Sequence, residues 1–68
     1  MNTRRNKVRH FRESIPLSIA ELARRAGLAH QTVTKMEKGL PTTKYSELKV
    51  AKALQKEYDE VFLPESTS

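Results

Sequence analysis

From Ser18 to Gly39 the chain reads SIAELARRAGLAHQTVTKMEKG, and the spacing of its apolar and small residues fits two short helices crossing at a tight turn. Leu22 and Ala23 fall on one face of the first helix, and Val33 and Met36 recur three residues apart on the second. Ala23 is small enough to let the two helices approach closely. Gly27, between them, can take the positive φ that a sharp helix end often demands. The start of the first helix is marked as well: Ser18 followed by Glu21 has the spacing of a capping box, and Leu17 and Leu22 stand as a hydrophobic staple across it.

Around this unit the pattern predicts three more helices and no strand, an all-α fold of five helices. The first runs from about Thr3 to Ser14 with Val8, Phe11 and Ile15 on one side, and Pro16 breaks it. The central pair occupies 18–26 and about 29–38. A fourth helix, capped by Thr42 or Thr43, runs to about Gln55 on Tyr45, Leu48, Ala51 and Leu54. A fifth lies around 58–63 and stops at Pro64, so that residues 1–63 form one domain and 64–68 a short frayed tail. A 68-residue chain holds a small core that needs support. It has no cysteine for a disulfide or a Cys-based zinc site, and two well-separated histidines are a poor basis for a metal site, so a partner subunit is the expected support. No apolar run is long enough to span a bilayer, and the N-terminal MNTRRNKVRHFRE carries charge without the apolar core of a signal peptide; a cytoplasmic protein without a membrane partner is expected.

Two helices crossed in this way, with a polar outer face on the second, form the helix-turn-helix layout that presents a helix to a DNA major groove. That outer face carries His30, Gln31, Thr32, Thr34, Lys35 and Lys38. The charge supports a polyanionic partner: thirteen Lys and Arg against eight Asp and Glu give +5. The imbalance is also polar, with Arg4, Arg5, Lys7, Arg9 and Arg12 near one end and Glu57, Asp59, Glu60 and Glu65 near the other. Gln31 and Lys35, four apart, share a face, and His30 and Thr34 form a second such pair. Glutamine can pair bidentately with adenine and lysine can donate to guanine O6 and N7, while an Ala29 methyl can meet a thymine methyl. Phosphate contacts are expected at helix ends and loops, where free N–H groups meet anions: Ser18 and Ile19 through their backbones, then Lys38, Thr42, Thr43 and Lys44. Thr32 either joins them or turns toward its own helix.

The stretch LSIAELARRAGLAHQTVTKMEKG, followed by VAKALQKEYDEVF from Val50 to Phe62, resembles the lambda repressor/Cro-like (XRE-like) helix-turn-helix family over nearly the whole chain. The resemblance implies a compact five-helix lambda-repressor-like domain with its helix-turn-helix at about 18–38. It also implies a double-stranded-DNA-binding transcriptional regulator, a repressor acting as a homodimer on a palindromic operator. His30, Gln31 and Lys35 stand where family members read bases. Arg12 and Glu37 stand where members pair an arginine of the first helix with a glutamate late in the recognition helix; otherwise each is separately solvated.

Three departures qualify the match. Ile19 replaces a DNA-contacting Gln of many members, Ala29 replaces the frequent Ser or Thr cap of the recognition helix, and Gly39–Ala51 is about one residue short. For the dimer surface the apolar Val61, Phe62 and Leu63 are the candidates, although burial in the monomer's own core would also account for them. No cofactor or small-molecule ligand is expected, and no nucleophile–base arrangement, phosphate-cradling glycine loop or carboxylate pair points to an enzyme. The competing reading is a protein-interaction module or antitoxin subunit that keeps the fold.

Overall fold

The computed structural model describes residues 6–62, which form α1 (Val8–Ser14), α2 (Ile19–Ala26), α3 (His30–Glu37), α4 (Lys44–Ala53) and α5 (Tyr58–Val61). Three of these helices end in the same piece of backbone. After α2 the Leu28 N–H donates to Ala23 O at 2.8 Å and that of Gly27 to Arg24 O at 3.2 Å. After α3, Leu40 and Gly39 repeat the pattern on Lys35 and Met36, and after α4, Lys56 and Gln55 repeat it on Ala51 and Lys52. Each is a Schellman close, which satisfies carbonyls that a helix end would otherwise leave unpaired and turns the chain back over the core. The turning residue is left-handed every time, with φ of 71° at Gly27, 79° at Gly39 and 61° at Gln55.

At Gln55 the side chain makes that conformation strained, since a Cβ crowds the following carbonyl by roughly 1 kcal/mol in the left-handed region. Gln55→Gly is therefore expected to stabilise the protein by about 0.5 kcal/mol, the relief being partly offset by the greater freedom of glycine in the unfolded chain. Gly27→Ala should move the other way by about 1 kcal/mol, for conformational reasons alone. Among the described residues, a Cβ there would meet Lys49 Nζ at an ordinary 3.5 Å. Urea melts of both variants check the pair, and a destabilised Gln55→Gly would mean that the Gln55 side chain makes contacts worth more than the strain.

The core is built from every helix. Val8, Leu17, Leu22, Ala23, Ala26, Val33, Met36, Val50, Ala51, Leu54, Val61 and Phe62 are all buried. α2 lies at its centre and packs against both α3 and α4, with α1 on α3 and α5 on α4. Leu17 and Leu22 are buried on either side of the Ser18 cap, as a staple requires. The cap itself is half of the expected box: the Ser18 hydroxyl accepts from the Glu21 N–H at 3.1 Å, while the Glu21 carboxylate lies 3.8 Å from Arg24.

Four expectations need correction. α1 starts at Val8 rather than near Thr3, because the Lys7 N–H is committed to Val61 O at 2.7 Å in a bridge that pairs Asn6 with Phe62. Asn6 Oδ1 then accepts from the Val8 N–H at 3.0 Å, and its Nδ2 donates to Met36 O at 2.8 Å, so one side chain starts α1 and ties it to the end of α3. Ile15, expected on the inner side, is 40% exposed beyond the helix end. The buried face of α4 is Glu47, Val50 and Ala51, continued by Leu54, whereas Tyr45 and Leu48 point outward. Val61 and Phe62 are buried in the monomer, where Phe62 stacks on Tyr58 at 5.2 Å between ring centroids, and so are not a surface for a second subunit. Leu63, the 64–68 tail, Arg4 and Arg5 lie outside the described residues. No helix among the described residues is long and apolar enough to cross a membrane.

Candidate nucleic-acid interface

The side of α3 away from Val33 and Met36 is an uninterrupted polar strip. His30, Gln31, Lys35 and Lys38 are exposed along it, and Gln31, Lys35 and Lys38 follow at intervals of four and three residues, close to one line on the helix surface. Thr34 is half-buried, and its hydroxyl donates to His30 O at 3.1 Å within its own helix, so it is left with acceptor capacity only. Thr32 is half-buried as well. Ala29 is exposed at the N-cap with extended backbone and, being alanine, caps nothing with its side chain.

What fixes the angle of this strip is an ion pair beneath it. Arg12 Nε donates to Glu37 Oε2 at 2.6 Å and Nη2 donates to Oε1 at 3.2 Å, a bidentate fork joining α1 to the last turn of α3. The third arm, Nη1, donates to Leu17 O at 2.8 Å and so reaches the segment that enters α2. Both side chains are largely withdrawn from solvent, 12% exposed for Arg12 and 9% for Glu37. Hydrogen bonding to Glu37 raises the Arg12 pKa above its ordinary value against the lowering effect of burial, and the charges of Glu37 and Glu13 add to the rise. Arg12 is thus a permanently charged brace between helices, not a cation offered to solvent.

On either side of α3 lie two helix starts. At α2, Ser18 is exposed and its hydroxyl accepts the cap bond, which leaves its O–H able to donate, while the Ile19 side chain turns partly into the core, so this end offers backbone N–H groups and the Ser18 hydroxyl. At α4, Thr43 caps the helix: its Oγ1 accepts from the Ser46 N–H at 3.2 Å and donates to Ser46 Oγ at 3.0 Å. Thr42 Oγ1 donates inward, to Glu47 Oε2 at 3.1 Å. The hydroxyls of Thr42 and Thr43, two residues expected to meet phosphate, are therefore used within the protein, and what remains outward is the first-turn backbone of α4 with the exposed Lys44. The sequence reading missed Asn6 and Glu47; only the Asn6-x-Val8 start of the apolar pattern and the position of Glu47 on the helix period hinted at them.

The arrangement is a polar helix held rigidly from behind and flanked by two positive helix ends, a geometry suited to a groove lined by anions. Comparisons agree. The family model HTH_3, described as helix-turn-helix, matches residues 8–61. Among solved structures, the restriction-modification controller protein C.AhdI from Aeromonas hydrophila is 33% identical, with 79% of this chain and 83% of that one covered at a TM-score of 0.75. The hypothetical transcription factor NHTF from Neisseria is 32% identical over 87% of this chain and 69% of that one, at a TM-score of 0.77. The N-terminal DNA-binding domain of SinR from Bacillus subtilis shares the fold, with a TM-score of 0.74 over 91% and 93% of the two chains at 20% identity. No curated protein sequence matches the chain.

Proposed function

The chain belongs to the helix-turn-helix family HTH_3, and from that premise we propose that it is a sequence-specific binder of double-stranded DNA and a transcriptional regulator, a repressor that sits as a homodimer on a palindromic operator. The observation that carries this reading is the exposed His30, Gln31, Lys35, Lys38 strip on a helix braced by Arg12 and Glu37. A solvated surface helix needs no such brace, whereas base reading requires side chains held in one register. C.AhdI and NHTF, regulators by their names, are similar enough in sequence and structure to support the same class here.

In this reading α3 enters the major groove. Gln31 and Lys35 face base edges, with His30 and the Ala29 methyl beside them, and Thr34 serves as an acceptor. Lys38, Lys44 and the backbone amides at the starts of α2 and α4 meet phosphates, which fixes register without reading sequence. Thr32 stays a secondary phosphate candidate, and Thr42 and Thr43 contribute backbone rather than hydroxyls. Two copies place their recognition helices one turn of DNA apart, roughly 34 Å.

Reading and anchoring separate experimentally. Gln31→Ala is expected to cost about 1–3 kcal/mol on the best operator and little on random duplex. Lys38→Ala should weaken both alike and lower the salt slope by about one. Anisotropy titrations at several salt concentrations distinguish the two, and equal losses on both duplexes for Gln31→Ala would remove it from the base-reading set. Sedimentation of the free and DNA-bound protein tests the homodimer.

A further inference from the structure

Glu47 is the charged residue that the core of the described chain takes in, 5% exposed on the inward face of α4 beside Val50 and Ala51. An apolar side chain would fill that position without the cost of desolvating a carboxylate. The carboxylate does what an apolar group could not: Oε1 accepts from the Tyr58 hydroxyl at 2.7 Å and Oε2 from the Thr42 hydroxyl at 3.1 Å. One residue thus joins α5, α4 and the loop that leads into α4. Tyr58 is itself anchored, its ring stacked on the buried Phe62, and Lys44 Nζ lies 5.0 Å from the centroid of that ring. Two groups at the start of α4 are therefore referred to the same pair: Thr42 through Glu47, and Lys44 through Tyr58.

We propose that Glu47, with Tyr58 as its support, is a positioning residue for DNA binding, a reading that rests on the function proposed above. Glu47 touches no DNA. It holds the 39–43 loop and the first turn of α4 where their amides and Lys44 meet the phosphate backbone, so that α5, packed against α4, sets the strength of anchoring. Because the contacts it controls are to phosphates, its loss should weaken operator and random DNA by the same factor and leave base discrimination intact.

The test uses Glu47→Gln and Tyr58→Phe in the full chain, with Val50→Ala as a control that removes core packing from the same helix. Thermal melts fix a temperature at which each variant is folded, and anisotropy titrations there measure affinity and salt slope on the selected operator and on random duplex. The expected result is a loss of roughly three- to tenfold on both duplexes for Glu47→Gln and Tyr58→Phe, with a salt slope lower by about one. Val50→Ala should melt earlier yet bind normally when folded. Wild-type affinity and slope in both folded variants, with the wild type itself binding DNA, would overturn the positioning role and leave Glu47 a purely structural residue. Losses confined to the operator would overturn it equally, by assigning the effect to base reading. If Glu47→Gln fails to fold, Tyr58→Phe, which keeps the ring and removes only the donor, decides. Failure of the wild type to bind any DNA is a separate result, which removes the function on which the proposal stands.

Discussion

Glu37→Ala is expected to lower the stability of the protein by about 3 kcal/mol, the usual cost of removing one partner of a withdrawn ion pair, with Glu13, 3.9 Å from Arg12 and 55% exposed, left as a weaker counter-charge. Arg12 would keep its charge, held 12% exposed with its Nη1 still bound to Leu17 O, and would lose both bonds of the fork. A domain of 68 residues has a total stability of roughly 3–10 kcal/mol, so the change is large. In a thermal melt it corresponds to a fall of about 12–24 °C. The double variant Arg12→Met, Glu37→Leu should recover much of the loss, since two apolar side chains leave no orphaned charge. A double variant whose destabilisation is the sum of the two single ones would show that the pair is not coupled. Operator affinity should remain reduced in the folded double variant, because apolar packing cannot reproduce the directional fork that sets the angle of α3.

Leu22→Ala is expected to cost about 2–5 kcal/mol and to unfold much of the population. Leu22 is fully buried on α2, the helix that packs against both α3 and α4, and it forms one half of the staple with Leu17. The cavity would open at the centre of the molecule, where neighbours on several sides limit how far it can collapse. A chemical melt of the variant measures the loss. A near-neutral result would mean that the α2–α4 packing can close over the missing side chain, which the burial of Ala23, Ala26, Val50 and Ala51 around the same helices argues against.

The α2–turn–α3 unit was legible in the sequence because its signals are local and agree with one another. Ser18 caps, Leu17 and Leu22 staple, Gly27 turns left-handed, and Val33 and Met36 face inward, each within a few residues of the next. α4 was harder for a physical reason. Its apolar residues fit two helical phases, one through Tyr45, Leu48, Ala51 and Leu54 and another through Val50, Ala51 and Leu54. Only the second is buried, and its remaining position is the carboxylate of Glu47, which carries no apolar signal. Asn6 was invisible for another reason, since the carbonyl it holds belongs to Met36, thirty residues away. Gln55 occupies a left-handed turn that glycine ordinarily marks. The polar strip of α3 was legible residue by residue; that the hydroxyls of Thr34, Thr42 and Thr43 are already engaged was not, because it depends on where each side chain points once the helices are packed.

Selection of bound sites from random duplex DNA tests the central claim most directly. Rounds of enrichment with the wild-type chain, followed by sequencing, are predicted to yield one motif. It should consist of two inverted half-sites whose centres lie one helical turn apart, roughly 34 Å, with the strongest preferences at the few positions within reach of His30, Gln31 and Lys35. A pool that stays flat in sequence, together with no binding to any duplex at low salt, would contradict the account and favour a fold kept for contacts with another protein.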